Sequence, residues 1–210
     1  MSNSVLFVDI CDTLYPENTT VGFINYVMTL NNKKNPKYIN NKFFKIINSI
    51  IYKIFDIDIY RKILISNLKG FSDSELCSYA ESYIRTLKPN KTIVEMVDNY
   101  IKLGFVLEFH SASIDPVVSV VSELFNAKYS SSSLLSYENN ICQGILRLDR
   151  LGKKEEEILK SSKKYNKSIF ITDNKSDYVC HKYCDKFIAV IPKNKSSLFW
   201  DKKDVEIVRL

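Results

Sequence analysis

Three short apolar runs, each closing on a residue able to do chemistry, constrain this chain more than any other feature. Val5-Leu6-Phe7-Val8 leads into Asp9, Phe105-Val106-Leu107-Glu108-Phe109 leads through His110 into Ser111, and Ser168-Ile169-Phe170-Ile171-Thr172 leads into Asp173. Runs of this length rich in Val, Ile, Leu and Phe suit strands buried on both faces, and open α/β sheets place their ligands just beyond the carboxyl ends of such strands. Helical spacing fills the intervals. Ile93, Met96, Val97, Tyr100 and Ile101 share one face before Gly104, and Val117, Val118, Val121, Leu124 and Phe125 share another. Leu134 to Leu148 reads as a hairpin turning at Glu138-Asn139-Asn140, and Phe187 to Ile191 as a final strand stopped by Pro192. Strands alternating with helices imply a mostly parallel sheet.

The interval after the first strand has a different texture. A turn at Tyr15-Pro16-Glu17-Asn18 precedes Val21, Phe23, Ile24, Val27 and Met28 at helical spacing. A second helical stretch from Phe43 to Phe55 is apolar over a broad face, with Lys45 and Lys53 among it; it reads as a packed helix, with contact to a membrane surface as the second reading. Ser72-Asp73-Ser74-Glu75 has the form of a helix start. The expected fold class is therefore α/β: a three-layer Rossmann-like core (residues 1–14 and 89–210) with a mostly parallel sheet and a helical cap (15–88) inserted after the first strand.

Asp9 ending a strand can be a helix cap and nothing more. Its partners suggest otherwise. Asp177 follows Asp173 by four residues, which puts the two on a loop and the start of an α-helix, Ser111 offers a hydroxyl, and Gly152-Lys153-Lys154 opens a helical segment with an ammonium. Hard divalent cations take carboxylate oxygens, whereas phosphate oxygens take donors and positive charge, so this set would make a site for a phosphate and a magnesium ion.

In order and spacing these segments resemble the motifs of the haloacid dehalogenase superfamily of phosphohydrolases, particularly its phosphoserine phosphatase-like branch. Asp9 to Leu14 resembles DxDxTL, Ser111 the second motif, Lys153 or Lys154 the third, and Asp173 through Asp177 the fourth, DxxxD. The resemblance implies that Asp9 is the nucleophile of an aspartyl-phosphate pathway on a small phosphorylated metabolite. It implies Mg²⁺ held by Asp9, the backbone of Cys11, Asp173 and Asp177, and phosphoryl oxygens held by Thr13, Ser111 and the lysine. Lys154 is preferred to Lys153 because Leu151, Lys154 and Ile158 fall at helical spacing. One position departs from the pattern: the second Asp of DxDxT, the general acid/base of family phosphatases, is Cys11. A thiol with a pKa near ~8.5 is a poor proton donor to an alkoxide, and a missing acid/base costs about 10²- to 10⁴-fold in rate. A slow phosphatase is one expectation, and a phosphate-binding or scaffold protein on the same fold is the alternative. The glutamate that reads the substrate amino group in phosphoserine phosphatases falls, in ungapped register, at Asn18 rather than Glu17.

At 210 residues and 45% hydrophobic content the chain can bury a full core. Five cysteines without framework spacing read as reduced thiols, and Cys180, His181 and Cys184 as packing rather than zinc ligands. No apolar stretch reaches the roughly 18 residues of a membrane span. Met1-Ser2-Asn3-Ser4 shows no signal-peptide pattern, so a cytoplasmic protein is expected. The net charge of +6 favours anionic partners, but Lys33, Lys34, Lys37, Lys193, Lys195, Lys202 and Lys203 lack aromatic interleaving and read as solvated loops, not a nucleic-acid surface.

Overall fold

The computed structural model of the chain describes residues 3–33, 36, 41–55 and 57–210; Lys34 and Lys37 lie outside them. A seven-stranded sheet runs in the order β4-β3-β2-β1-β5-β6-β7. Its strands are β1 (Ser4–Val8), β2 (Val106–Ile114), β3 (Tyr129–Glu138), β4 (Ile141–Leu148), β5 (Lys167–Thr172), β6 (Lys186–Ile191) and β7 (Glu206–Arg209). Every pairing is parallel except β3 with β4. From β1 the chain builds outward to β2 and β3, then returns to the other side of β1 with β5 and β6. The carboxyl ends of β1 and β5 therefore flank the point where strand order reverses.

Alternating side chains explain the layers. Val5 and Phe7 of β1 join Phe170, Phe187, Ala189 and Ile191 in one apolar cluster, while Leu6 and Val8 join Ile169, Ile171, Ile188 and Val190 in the other. The first cluster is closed by α7 (Glu155–Ser162) through Ile158 and by Trp200. The second is larger. It takes in α5 (Lys91–Lys102) and α6 (Asp115–Leu124), and continues without a break into α1 (Thr19–Leu30), α3 (Ile59–Ser66) and α4 (Asp73–Thr86). With α2 (Lys42–Phe55), these helices occupy the interval between β1 and α5.

Local signals account for most boundaries. α4 starts on a full capping box, with the Glu75 amide donating to Ser72 Oγ at 3.2 Å and Glu75 Oε2 accepting the Ser72 amide at 2.8 Å. The β3–β4 turn places Asn139 and Asn140 at φ of 48° and 63°, the left-handed pair a two-residue hairpin needs. Four features differ from the expectation. β3 starts at Tyr129, five residues before the apolar run, because its serines pair with β2 and Ser133 is buried in side-chain hydrogen bonds. α3 appears where no helix was expected, capped by Asp58, which accepts the Arg61 amide. The stretch after Asp173 winds as a 3-10 helix, Lys175–Tyr183. And β6 is not the last strand: β7, short and partly exposed, pairs beyond it.

Candidate active site

In β1, Val8 pairs with Ile171 of β5, so Asp9 sits beside Thr172 and its amide donates to the Ile171 carbonyl at 3.0 Å. The Asp9 carboxylate is buried. Its Oδ1 accepts the Ile10 amide at 2.7 Å, and its Oδ2 lies 2.6 Å from Lys154 Nζ. The chain then turns tightly: the Tyr15 amide returns to the Ile10 carbonyl at 3.0 Å, and Asp12 takes a left-handed φ of 52°. Asp tolerates that conformation better than most side chains. Thr13 is buried by this turn, its hydroxyl accepting the Asp173 amide at 2.9 Å and donating to Asp173 Oδ1 at 3.2 Å. The ends of β1 and β5 are thus bonded directly to each other.

Lys154, the residue before α7, is buried between two carboxylates, 2.7 Å from Asp177 Oδ2 as well as 2.6 Å from Asp9. Burial alone would strip its proton, but Asp177 and Asp9 outweigh burial and push its pKa above the usual lysine range. It is a fixed cation. Asp177 also accepts the Thr172 hydroxyl at 2.8 Å, so it anchors the lysine from behind. Lys153 is exposed.

Asp173 shows the opposite imbalance. Burial first, then the nearby charges of Asp9 and Asp12, push its carboxyl up to about 7. This corner carries more negative charge than its neighbours neutralise. Among the described residues no three His, Cys, Asp or Glu side chains are grouped so as to hold a metal by themselves. Magnesium does not need three: it is held by one or two carboxylates, with water and substrate oxygens filling the rest of an octahedron. Asp9 and Asp173, with a main-chain carbonyl from the turn, fit that chemistry, and the raised Asp173 carboxyl marks the place where a cation would be stabilised.

Cys11 faces the same cavity. Its Sγ is 3.0 Å from Thr19 Oγ1, and burial, followed by the charge of Asp9, raises the thiol pKa. The sulfur therefore stays protonated. Thr19 and Thr20 both donate to Ser113 Oγ, at 2.9 and 3.2 Å, and so fasten the start of α1 to the end of β2.

These groups line a cavity of about 420 Å³ whose wall includes Asp9, Cys11, Asp12, Lys154 and Asp173. Ser111 is placed less directly. It is buried, its hydroxyl accepts the Ser113 amide at 3.2 Å, and its neighbour Ala112 is the residue that lines the cavity. Asn18 also lines the cavity while capping α1, whereas Glu17 is taken up by the Tyr83 hydroxyl. Gly22 leaves room for that bond, since a Cβ there would push on the side-chain ends of both partners. His110 points elsewhere, into a buried set with Glu108 and Phe7.

Sequence reasoning missed Arg61. This α3 side chain is buried, lines the cavity, and donates through Nη2 to the Ala112 carbonyl at 2.5 Å and to Ser133 Oγ at 3.0 Å, with Asp149 at 3.5 Å. Its Nε is buried with no partner among the described residues. The available signal was weak: Asp58 is a cap residue three positions before Arg61, ahead of the apolar residues Ile63, Leu64 and Ile65. Lys195 and Trp200, also on the wall, had no motif to mark them.

No family model and no curated protein matches the chain. Solved structures do. A protein of unknown function from Bordetella pertussis Tohama I superposes with a TM-score of 0.77 at 12% identity, covering 99% of both chains. A phosphoserine phosphatase captured as a phospho-aspartyl intermediate analogue gives 0.68 at 17% identity, over 99% of this chain and 94% of its own. A HAD family hydrolase from Salmonella enterica serovar Typhi gives 0.72 at 14% identity, over 99% and 68%. The fold is that of the haloacid dehalogenase-type, phosphoserine phosphatase-like proteins.

Proposed function

We propose that the chain is a magnesium-dependent phosphohydrolase acting on a small phosphomonoester through an aspartyl phosphate at Asp9. One observation carries this reading: a buried carboxylate at the reversal point of the sheet is held 2.6 Å from a buried, permanently charged lysine, beside a second, under-neutralised carboxylate, in a single cavity.

In this reading Asp9 attacks phosphorus, the phosphorus–oxygen ester bond breaks and the leaving oxygen departs as the alcohol with a proton taken from water, and a second water later hydrolyses the acyl phosphate to free phosphate and the Asp9 carboxylate. Lys154 stabilises charge as it spreads over the phosphoryl oxygens, and Asp177 keeps the lysine aimed and charged without approaching the substrate. Ile10 N–H fixes the free rotation of the nucleophile. When bound at Asp9 and Asp173, Mg²⁺ supplies the positive field that lets an anionic ester approach an anionic nucleophile. Arg61, Asn18 and Lys195 also line the cavity and would read the remainder of the substrate. Glu17 is committed to Tyr83, which disfavours an amino-group substrate such as phosphoserine and favours an ester bearing hydroxyls or a second anionic group.

The protonated Cys11 thiol supports a second reading, a phosphate-binding protein with little turnover. A panel of phosphomonoesters with Mg²⁺, run on the wild type, Asp9→Asn and Cys11→Asp, separates the two. Release of phosphate that vanishes in Asp9→Asn and rises in Cys11→Asp supports the enzyme. Absence of release in all three, with phosphate still binding by calorimetry, supports the binding protein.

A further inference from the structure

We infer that α2 is an in-plane membrane-surface anchor for anionic phospholipid bilayers. Residues 18–55 contain six of the thirty basic residues and none of the twenty-four acidic ones, so the entire +6 of the chain resides in this stretch and the remainder is charge-balanced. Within it, α2 presents Phe43, Ile46, Ile50 and Ile54 with 71, 58, 52 and 65% of their surface exposed. Positions 43, 46, 50 and 54 recur every three or four residues, which makes one continuous apolar stripe along the helix. Lys42 and Lys53 are exposed along one border of that stripe.

The helix is not free to roll this stripe inward. Phe44 already packs on the large apolar cluster from the other side. Asn48 donates to Asp58 Oδ1 at 3.0 Å and accepts the Tyr60 amide at 2.9 Å, which ties α2 to the start of α3. An apolar stripe with a lysine border and no acid is the pattern of a helix that lies in the headgroup region. At fourteen residues α2 is too short to cross a bilayer, and no helix among the described residues is long and apolar enough to do so.

Charge decides among occupants. A second copy docked on the same face would bring two strongly cationic stretches together, which like-charge repulsion opposes. Nucleic acid would match the lysines but leave the isoleucines and Phe43 facing a polar phosphate backbone. An anionic bilayer matches both, and each lysine near its surface strengthens partitioning roughly fivefold.

The test is flotation of the full-length protein with phosphatidylcholine vesicles, with and without phosphatidylglycerol, at low and high salt. We expect association with the phosphatidylglycerol vesicles only, weakening as salt rises. Lys42→Glu combined with Lys53→Glu should reduce it at least tenfold, and Ile46→Gln combined with Ile50→Gln should abolish it. Circular dichroism melts of both variants should match the wild type, since all four sites are exposed. No association at low salt overturns the proposal. So does equal, salt-insensitive association with neutral vesicles, a dimer lost in the isoleucine variant without vesicle binding, or binding to duplex DNA in place of vesicles.

Discussion

The sulfur of Cys11 faces the cavity, 3.0 Å from the Thr19 hydroxyl oxygen, and under the proposed mechanism its position is the one from which an acid would pass a proton to the departing oxygen. On that reading a carboxyl at this position would supply the acid/base, so Cys11→Asp should raise steady-state phosphate release by about 10²-fold or more. Asp173 lends itself to a thermodynamic test. A carboxyl that binds its proton more tightly in the folded chain contributes stability below its unfolded pKa, near ~3.9, and loses it as pH rises through about 7. The metal-free protein should therefore lose stability between about pH 4 and pH 7. Asp173→Asn should raise its melting temperature at neutral pH by roughly 2–4 °C, a gain of about 1 kcal/mol, while turnover falls. Adding Mg²⁺ should raise the melting temperature of the wild type and leave that of Asp173→Asn nearly unchanged; a variant stabilised as much as the wild type would remove Asp173 from the cation site.

At the scale of elements, the sheet was written most plainly where strands are buried on both faces. β1, β5 and β6 are near-continuous apolar runs, and the residues that follow β1 and β5 are those placed in the cavity. α4 was legible through its capping box. What escaped is instructive. The front of β3 is a serine run with low strand propensity, kept because Ser133 Oγ donates to the Ala112 carbonyl and accepts from Arg61 and the Arg150 amide. β7 is too short and too exposed to carry a periodic signal, and α3 sets a buried arginine into its apolar face. Tertiary hydrogen bonds override local preference in β3 and α3, which explains why Arg61 was missed along with the helix that carries it. The β3–β4 turn gives an element-scale test. Asn140 at φ 63° should accept glycine with no loss of stability, whereas Asn140→Val, forced into a left-handed conformation, should cost about 1–2 kcal/mol in urea titrations.

Across the whole molecule, the larger apolar cluster ignores the boundary between sheet and inserted helices. Leu64 of α3, Leu76 and Ile84 of α4, and Leu6 and Val8 of β1 belong to one buried set. Helices that share a core with the sheet should unfold with it, so Leu64→Ala, a cavity worth about 2–5 kcal/mol, should move a single calorimetric transition downward instead of splitting it in two. Two separate transitions would show that the helical segment has a stability of its own.

The bond from the Arg61 guanidinium to the Ala112 carbonyl ties an inserted helix to the end of a strand of the sheet, and both residues line the cavity. A displacement of that helix from the sheet would therefore break the bond and deform the wall of the cavity with it.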